Sequence, residues 1–249
     1  MQIDILTIFP ELFQNIFEYG IIRRAQKNGL VKIQAHDLRD FTYDRHRIVD
    51  DRPFGGGEGM VLKPEPIFRA IEYLTHKSSP ENLSVSLLTP QGKTFNQETA
   101  MRLSKLSHLV LICGRYEGVD ERVNQALVTE EISIGDYVLS GGEFAALIVV
   151  DALIRLIPSA LGCQDSTENE SFSSGLLDSP VYTRPAIYRG IEVPEVLQNG
   201  NHKEIARWRR RKALEKTLAI RPDLLQKLAL SKDDIKTLQQ IKKEKTEKP

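Results

Sequence analysis

The chain has 249 residues, 41% of them hydrophobic and 27% charged, with 34 Lys and Arg balanced by 34 Asp and Glu. This is ordinary globular composition, long enough for one large domain and a smaller one, and a net charge of zero gives the whole molecule no electrostatic claim on nucleic acid. Two isolated cysteines, Cys113 and Cys163, exclude a disulfide framework or a zinc site.

In chain order, residues 3–9 read as a buried strand, and Pro10 opens an amphipathic stretch bracketed by Gly20 and Gly29. Residues 31–35 form a second strand. Residues 38–60 carry little periodicity and end in Gly55-Gly56-Gly57-Glu58-Gly59; a loop of that length inside a domain is usually functional or disordered. Helical spacing follows over 64–74. Residues 83–88 and 108–113 are β-branched and leucine runs of the kind found in central parallel strands, separated by a helix over 96–106 with Asn96 as its N-cap. Alternation of this kind specifies an α/β domain, a parallel sheet with helices on both faces.

Two glycine-bearing turns follow apolar runs, Gly114-Arg115-Tyr116-Glu117-Gly118 and Ile134-Gly135-Asp136-Tyr137-Val138-Leu139-Ser140-Gly141-Gly142-Glu143. Such turns bring bare backbone groups around a flat ligand, yet neither matches the dinucleotide or P-loop fingerprint. The helix expected over 142–159 is apolar on nearly all faces, which calls for a buried position completed by a subunit interface. Its charges, Asp151 and Arg155, read on their own as an i, i+4 ion pair, and no stretch is long enough to span a bilayer. Met1-Gln2-Ile3-Asp4 is not the start of a secretory signal, so a cytoplasmic location is expected.

Residues 162–182 hold Asp165, Glu168, Glu170 and Asp178 with no Lys or Arg, whereas 202–217 hold Lys203, Arg207, Arg209, Arg210, Arg211, Lys212 and Lys216 against Glu204 and Glu215. A basic docking surface beside an acidic connector is the reading. The expected division is a domain over 1–161, a flexible linker over 162–176 and a helical domain over 177–249, with helices at 202–218, 222–230 and from 232 onward. His36, His46, His76, His108 and His202 lack ligand spacing, so no metal site is expected from them, and Cys113 reads as a core thiol.

Asp50-Asp51-Arg52-Pro53-Phe54-Gly55-Gly56-Gly57-x-Gly59-Met60, Thr89-Pro90-Gln91-Gly92, the first turn above extended through Val119-Asp120-Glu121-Arg122, the second preceded by Ser133, Ser171-Phe172-x-x-Gly175-Leu176-Leu177, Tyr182-Thr183-Arg184-Pro185 and His202-x-x-Ile205-x-x-Trp208-Arg209 together closely resemble the bacterial tRNA (guanine-N1)-methyltransferases, the TrmD family of trefoil-knotted (SPOUT) enzymes. The resemblance runs in order from residue 1 to about 225. It implies a parallel sheet with a deep C-terminal trefoil knot, an exception to the rule against threaded chains, followed by a smaller all-helical C-terminal domain. It implies S-adenosylmethionine as methyl donor, guanosine 37 of tRNA as target, and a homodimer whose sites are shared between subunits. A divalent-ion dependence is linked with the family, so magnesium is carried as a cofactor for which no ligand set is legible.

The resemblance maps the donor pocket onto Leu87, Leu88, Thr89, Pro90, Gly114, Tyr116, Glu117, Ile134, Gly135, Asp136, Tyr137, Val138, Leu139, Gly141 and Gly142. It makes Glu170 the general base for the guanine N1 proton, at a position where several members carry Asp, and Arg155 a donor to guanine O6. Read alone, an acid in a polar linker is surface decoration; the motif reverses that. Gly59, Asp178, Arg184, Arg207, Trp208, Arg209, Arg210 and Arg211 become the tRNA-binding set. The rival readings are an RNA ribose 2′-O-methyltransferase of the same fold and a non-catalytic knotted RNA-binding protein.

Overall fold

In the computed structural model, which describes residues 1–76, 78–161 and 170–246, the chain divides into two compact units, Met1–Gln164 and Asp165–Pro249. The first runs β1 (Gln2–Thr7), α1 (Glu11–Gln14), α2 (Gly20–Lys27), β2 (Lys32–Asp37), β3 (Asp50–Asp51), β4 (Val61–Leu62), α3 (Pro64–Thr75), β5 (Leu83–Thr94), α4 (Gln97–Leu103), β6 (His108–Cys113), α5 (Glu121–Leu127), β7 (Glu130–Ser133) and α6 (Glu143–Ile154). Five strands pair in the order β2-β1-β6-β5-β7, every pair parallel.

Side chains alternate across the sheet with the period-2 rule. Leu109, Leu111 and Cys113 of β6 join Ile3, Ile5 and the inward side of α6 in one buried cluster. Val110 and Ile112 join Leu6, Val85, Leu87 and the apolar residues Ile67, Ala70 and Ile71 of α3 in the other. Every residue of β6 is buried, as a central strand covered on both faces requires. Asn96 caps α4 through an acceptor bond from the Thr99 amide at 2.9 Å, as its position in the sequence indicates.

The β5–β7 ladder carries the main irregularity. Leu88 lies opposite Ile132, and after four further residues Lys93 lies opposite the same Ile132. Thr89–Gly92 therefore leave the ladder and return to it. A Cβ on Gly92 would stand 2.5 Å from the backbone of Glu131 and Ile132, so only glycine allows the return. Residues 38–60 are less loose than their composition suggests: a 3₁₀ turn at Leu38–Phe41 is capped by Asp37, and β3 pairs antiparallel with β4.

At the other end of the sheet, the buried Asp4 carboxylate accepts from His36 at 2.8 Å, His108 at 2.7 Å and Gln2 at 2.6 Å. Burial alone would raise its pKa, but these hydrogen bonds reverse the effect and hold it well below the usual carboxylate range.

The second unit contains β8 (Ile187–Tyr188), β9 (Ile191–Glu192), α7 (His202–Ile220), α8 (Pro222–Lys227) and α9 (Lys232–Thr246). It is therefore not all helical: β8 and β9 make an antiparallel hairpin whose turn, Arg189-Gly190, has positive φ at both residues. Two-residue strands leave no periodicity to read. Leu176, Ala213, Leu214, Leu238 and Ile241 form its core. The expected linker over 162–176 lies outside the described residues for 162–169. From 170 the chain is folded onto the helical unit: Leu176 is buried and the Leu177 amide donates to Thr217 Oγ1 at 2.9 Å. Similarly, α6 ends at Ile154, short of the expected 159.

Candidate functional site

Because β5, β6 and β7 are adjacent and parallel, their carboxyl ends open at one edge of the sheet, the place where α/β sheets hold ligands. The turns after β6 and β7 meet there. Arg115 and Gly141 form an isolated antiparallel bridge, and the Gly142 amide donates to the Gly114 carbonyl at 2.9 Å. A Cβ on Gly142 would sit 2.8 Å from Cys113 Cα, and one on Gly141 would sit 2.2 Å from Arg115 Nε. Gly142 thus lets two backbones touch, and Gly141 leaves room for the Arg115 and Glu143 side chains. Tyr116 adopts φ +59°, a left-handed conformation uncommon outside glycine.

The result is a partly open cleft with a cavity volume of about 200 Å³. Of the residues mapped to a donor pocket, Leu87, Leu88, Thr89, Pro90, Gly114, Tyr116, Glu117, Ile134, Gly135, Tyr137, Val138, Leu139, Gly141 and Gly142 line it; Asp136 is exposed and does not. Gln91, Arg115, Gly118, Val119, Glu121, Asn124, Glu131, Ile132, Ser133, Ser140 and Ala145 complete the wall; none was mapped to the donor pocket, although all but Asn124, Glu131, Ile132 and Ala145 lie within the matching motifs. A signal for two of them existed, since Glu121 and Asn124 stand at i, i+3 on the first turns of α5 and so share a face.

The lining includes three acidic residues, Glu117, Glu121 and Glu131, and a single basic one, Arg115. Arg115 is itself neutralised: its Nε donates to Glu143 Oε1 at 3.2 Å and Oε2 at 3.0 Å, and Thr7 Oγ1 donates to Glu143 at 2.8 Å. The cleft thus combines apolar walls, bare backbone and an excess of negative charge. It suits a flat aromatic group attached to a cationic tail, and it offers nothing of a phosphate cradle. Cys113 lies beneath, fully buried; burial and the nearby Glu143 push its thiol pKa up, so it stays protonated and unreactive.

The glycine loop is tied to the rim of this cleft. The Glu117 amide donates to Met60 O at 3.0 Å, Leu62 N to Gly118 O at 3.0 Å, and Asp120 N to Leu62 O at 2.9 Å. Gly59 has φ +91°, and a Cβ there would meet Glu117 Oε1 at 2.7 Å. Gly59 therefore stands at the cleft's edge.

Arg155 follows the last turn of α6 and is half-buried. The outer stripe of that helix, Phe144, Ile148 and Asp151, is exposed, with the Phe144 ring at 52%. An apolar helix is thus only partly covered by its own unit.

In the second unit, Glu170 opens a turn in which Ser173 N donates to Glu170 O at 3.2 Å and Ser171 Oγ accepts from the Asp178 amide at 2.9 Å. Arg184, Arg207 and Arg209 are exposed, and the half-buried Trp208 packs against Tyr182 with ring centroids 6.3 Å apart. Arg210 and Arg211 do not present themselves in the same way. Arg210 makes a bidentate pair with Asp234 at 2.9 and 2.9 Å, and Arg211 contacts Glu244 at 2.6 Å, both joining α7 to α9. Among the described residues no group of three or more His, Cys, Asp or Glu side chains converges as a metal site, and no helix is long and apolar enough to cross a membrane.

Residues 1–227 match the family model described as tRNA (Guanine-1)-methyltransferase TrmD. Curated relatives bearing the name tRNA (guanine-N(1)-)-methyltransferase include one from Koribacter versatilis, 57% identical over 97% of this chain and 98% of the relative. Another, from Dictyoglomus turgidum, is 54% identical over 98% of each. A third, from Dehalococcoides mccartyi, is 53% identical over the full length of both.

Proposed function

The chain belongs to the tRNA (guanine-1)-methyltransferase TrmD family, and from that premise we propose that it transfers a methyl group from S-adenosylmethionine to N1 of guanosine 37 in tRNA. The observation that carries the donor assignment is the cleft at the ends of β5, β6 and β7, with its apolar walls, close glycine backbones and three carboxylates. Leu87, Ile134 and Leu139 would hold the adenine, backbone groups of the two turns would read its edge, and Glu117 would face the cationic end. The bound donor supplies a methyl group made electrophilic by a sulfonium.

The protein's own work is positioning and proton removal. Guanine N1 carries a proton at neutral pH. Glu170 takes it as the new N1–C bond forms and the S–C bond breaks, while Arg155 donates to O6, where negative charge develops. Arg207 and Arg209 contribute phosphate contacts beside Trp208, with Arg184 and Asp178 nearer the target base. For magnesium, the described residues offer no converging ligand set, and no step is assigned to it.

We extend the reading to the fold and assembly. A trefoil knot rests on membership of the family. A homodimer with shared sites is supported by the exposed Phe144 and Ile148 on an otherwise buried apolar helix, which need a cover. The cytoplasm, where tRNA is found, is the proposed location.

The test is transfer of labelled methyl from S-adenosylmethionine to unmodified tRNA transcripts carrying G, A, C or U at position 37, followed by nucleoside analysis. Label recovered as 1-methylguanosine from the G transcript alone is the expected result. Label on ribose would replace this reading with 2′-O-methylation, and tight tRNA binding without label would leave an RNA-binding protein.

A further inference from the structure

Outside the cleft, the most exposed large apolar side chain among the described residues is Phe54, whose ring is 100% accessible. It stands in the first half of the loop between β3 and β4. The three residues that follow, Gly55, Gly56 and Gly57, have φ of +86°, +80° and +121°, and a Cβ on either of the first two would meet nothing within 4 Å. The segment after the ring is therefore bare: no side chain follows until Glu58 and no apolar one until Met60, while Pro53 and the exposed Arg52 precede it.

The foot of this loop is fixed. Asp51 pairs with Val61, and the next residue, Leu62, bonds to Gly118 and Asp120 on the cleft rim. From Asp51 to Phe54 is three residues, at most about 10 Å of chain. The ring is thus carried on a short ribbon rooted in the wall of the cleft.

A single exposed ring followed by three glycines is not the contiguous apolar patch that a protein partner would use. It has what a nucleobase needs, a flat and fully exposed apolar face, in a stacking contact indifferent to base identity. Resting on the reading of the cleft given above, we propose that Phe54 stacks on the RNA base next to the guanine presented for methylation, and so holds that guanine's backbone at the cleft.

The experiment measures methyl transfer by the full-length chain to an anticodon stem-loop RNA, for the wild type, Phe54→Ala and Phe54→Trp, and repeats it with an abasic nucleotide immediately 5′ or 3′ of the target guanine. Phe54→Ala is expected to raise KM for RNA about tenfold with kcat nearly unchanged, and Phe54→Trp to restore it. On the RNA lacking the stacked base, wild type and Phe54→Ala should have the same KM. With 2-aminopurine at that flank, the wild type and the Trp variant should quench its fluorescence and the Ala variant should not. An unchanged KM on intact RNA, or a KM difference that persists on both abasic RNAs, overturns the proposal. So does a drop in molecular mass of Phe54→Ala by light scattering, which would seat the ring in a second copy of the chain. Should the wild type methylate no RNA, the function itself fails, and 2-aminopurine quenching measured without donor still decides whether Phe54 stacks.

Discussion

Arg115 and Glu143 lie 28 residues apart and meet through both carboxylate oxygens, with the Glu143 side chain 1% exposed and the Arg115 side chain 18%. One belongs to the turn after β6, the other to the first turn of α6, so this buried pair fastens together the two walls of the cleft. Removing one member leaves the other charge buried and uncompensated, at a cost of about 3–5 kcal/mol. Arg115→Ala and Glu143→Ala should therefore each lower urea-unfolding stability by about that amount and weaken S-adenosylmethionine binding in calorimetry. A variant with full stability and full donor affinity would show that the pair has no role in forming the cleft.

Gly141 depends on the same contact. A methyl group there would sit 2.2 Å from Arg115 Nε and 2.6 Å from Glu143 Oε2, so Gly141→Ala must push the guanidinium off its partner. The expected outcome is loss of donor binding in the wild-type background but little further loss in Arg115→Ala, a non-additivity read from a double-mutant cycle. Strict additivity would place the effect of the methyl group elsewhere.

The catalytic assignment separates binding from turnover. Glu170→Gln is expected to lower kcat by roughly 10²–10⁴-fold, the usual worth of a general base, while leaving donor affinity unchanged. Arg155→Ala should likewise act on the methyl-transfer step more than on donor binding. Single-turnover rates at saturating tRNA, beside calorimetric donor titrations, make the comparison; a Glu170→Gln enzyme with normal single-turnover rate removes the carboxylate from the mechanism.

Much of this site was legible because its parts lie in short local motifs. The turns at Gly114 and Gly141, the strands before them and the N-cap Asn96 are each specified by neighbours in sequence, and they appear where the pattern put them. The long-range pairings were not legible. Nothing local says that Thr7 and Arg115 would meet Glu143, or that Asp4 would draw His36 and His108 together. The same limit explains the basic stretch of α7, where four arginines look equivalent along the chain. Two of them, Arg210 and Arg211, are tied to Asp234 and Glu244 of α9; Arg207 shares their side of α7 at i−3 and i−4, so the positions of the α9 carboxylates, which no local pattern reveals, make the distinction.

That distinction can be measured in salt. Arg207→Ala and Arg209→Ala should each weaken tRNA binding and reduce the magnitude of the slope of log K against log[salt] by about 0.7–0.9, the value for losing one phosphate contact. Stability should be unchanged, since both side chains are exposed. Arg210→Ala should do the opposite, lowering the stability of the helical unit with little direct change in slope. A salt-slope change in Arg210→Ala equal to the others would assign it to the RNA surface after all.

The partner of Arg210 gives a pH prediction. The bidentate guanidinium, opposed by burial and assisted by Ser231, holds Asp234 at a pKa of about 2, against about 3.9 for an unfolded aspartate. Because the folded value is the lower one, the pair contributes stability above pH 4 and loses it as pH falls from about 4 to about 2. Arg210 is 41% exposed, so solvent screening limits the contribution to about 1–2 kcal/mol. Asp234→Asn should lower stability by that amount at pH 7 and flatten the acid side of the unfolding profile. Equal acid sensitivity in the variant and the wild type would shift the origin of that profile to other carboxylates, with Asp4, hydrogen-bonded by two histidines in the first unit, the next to substitute.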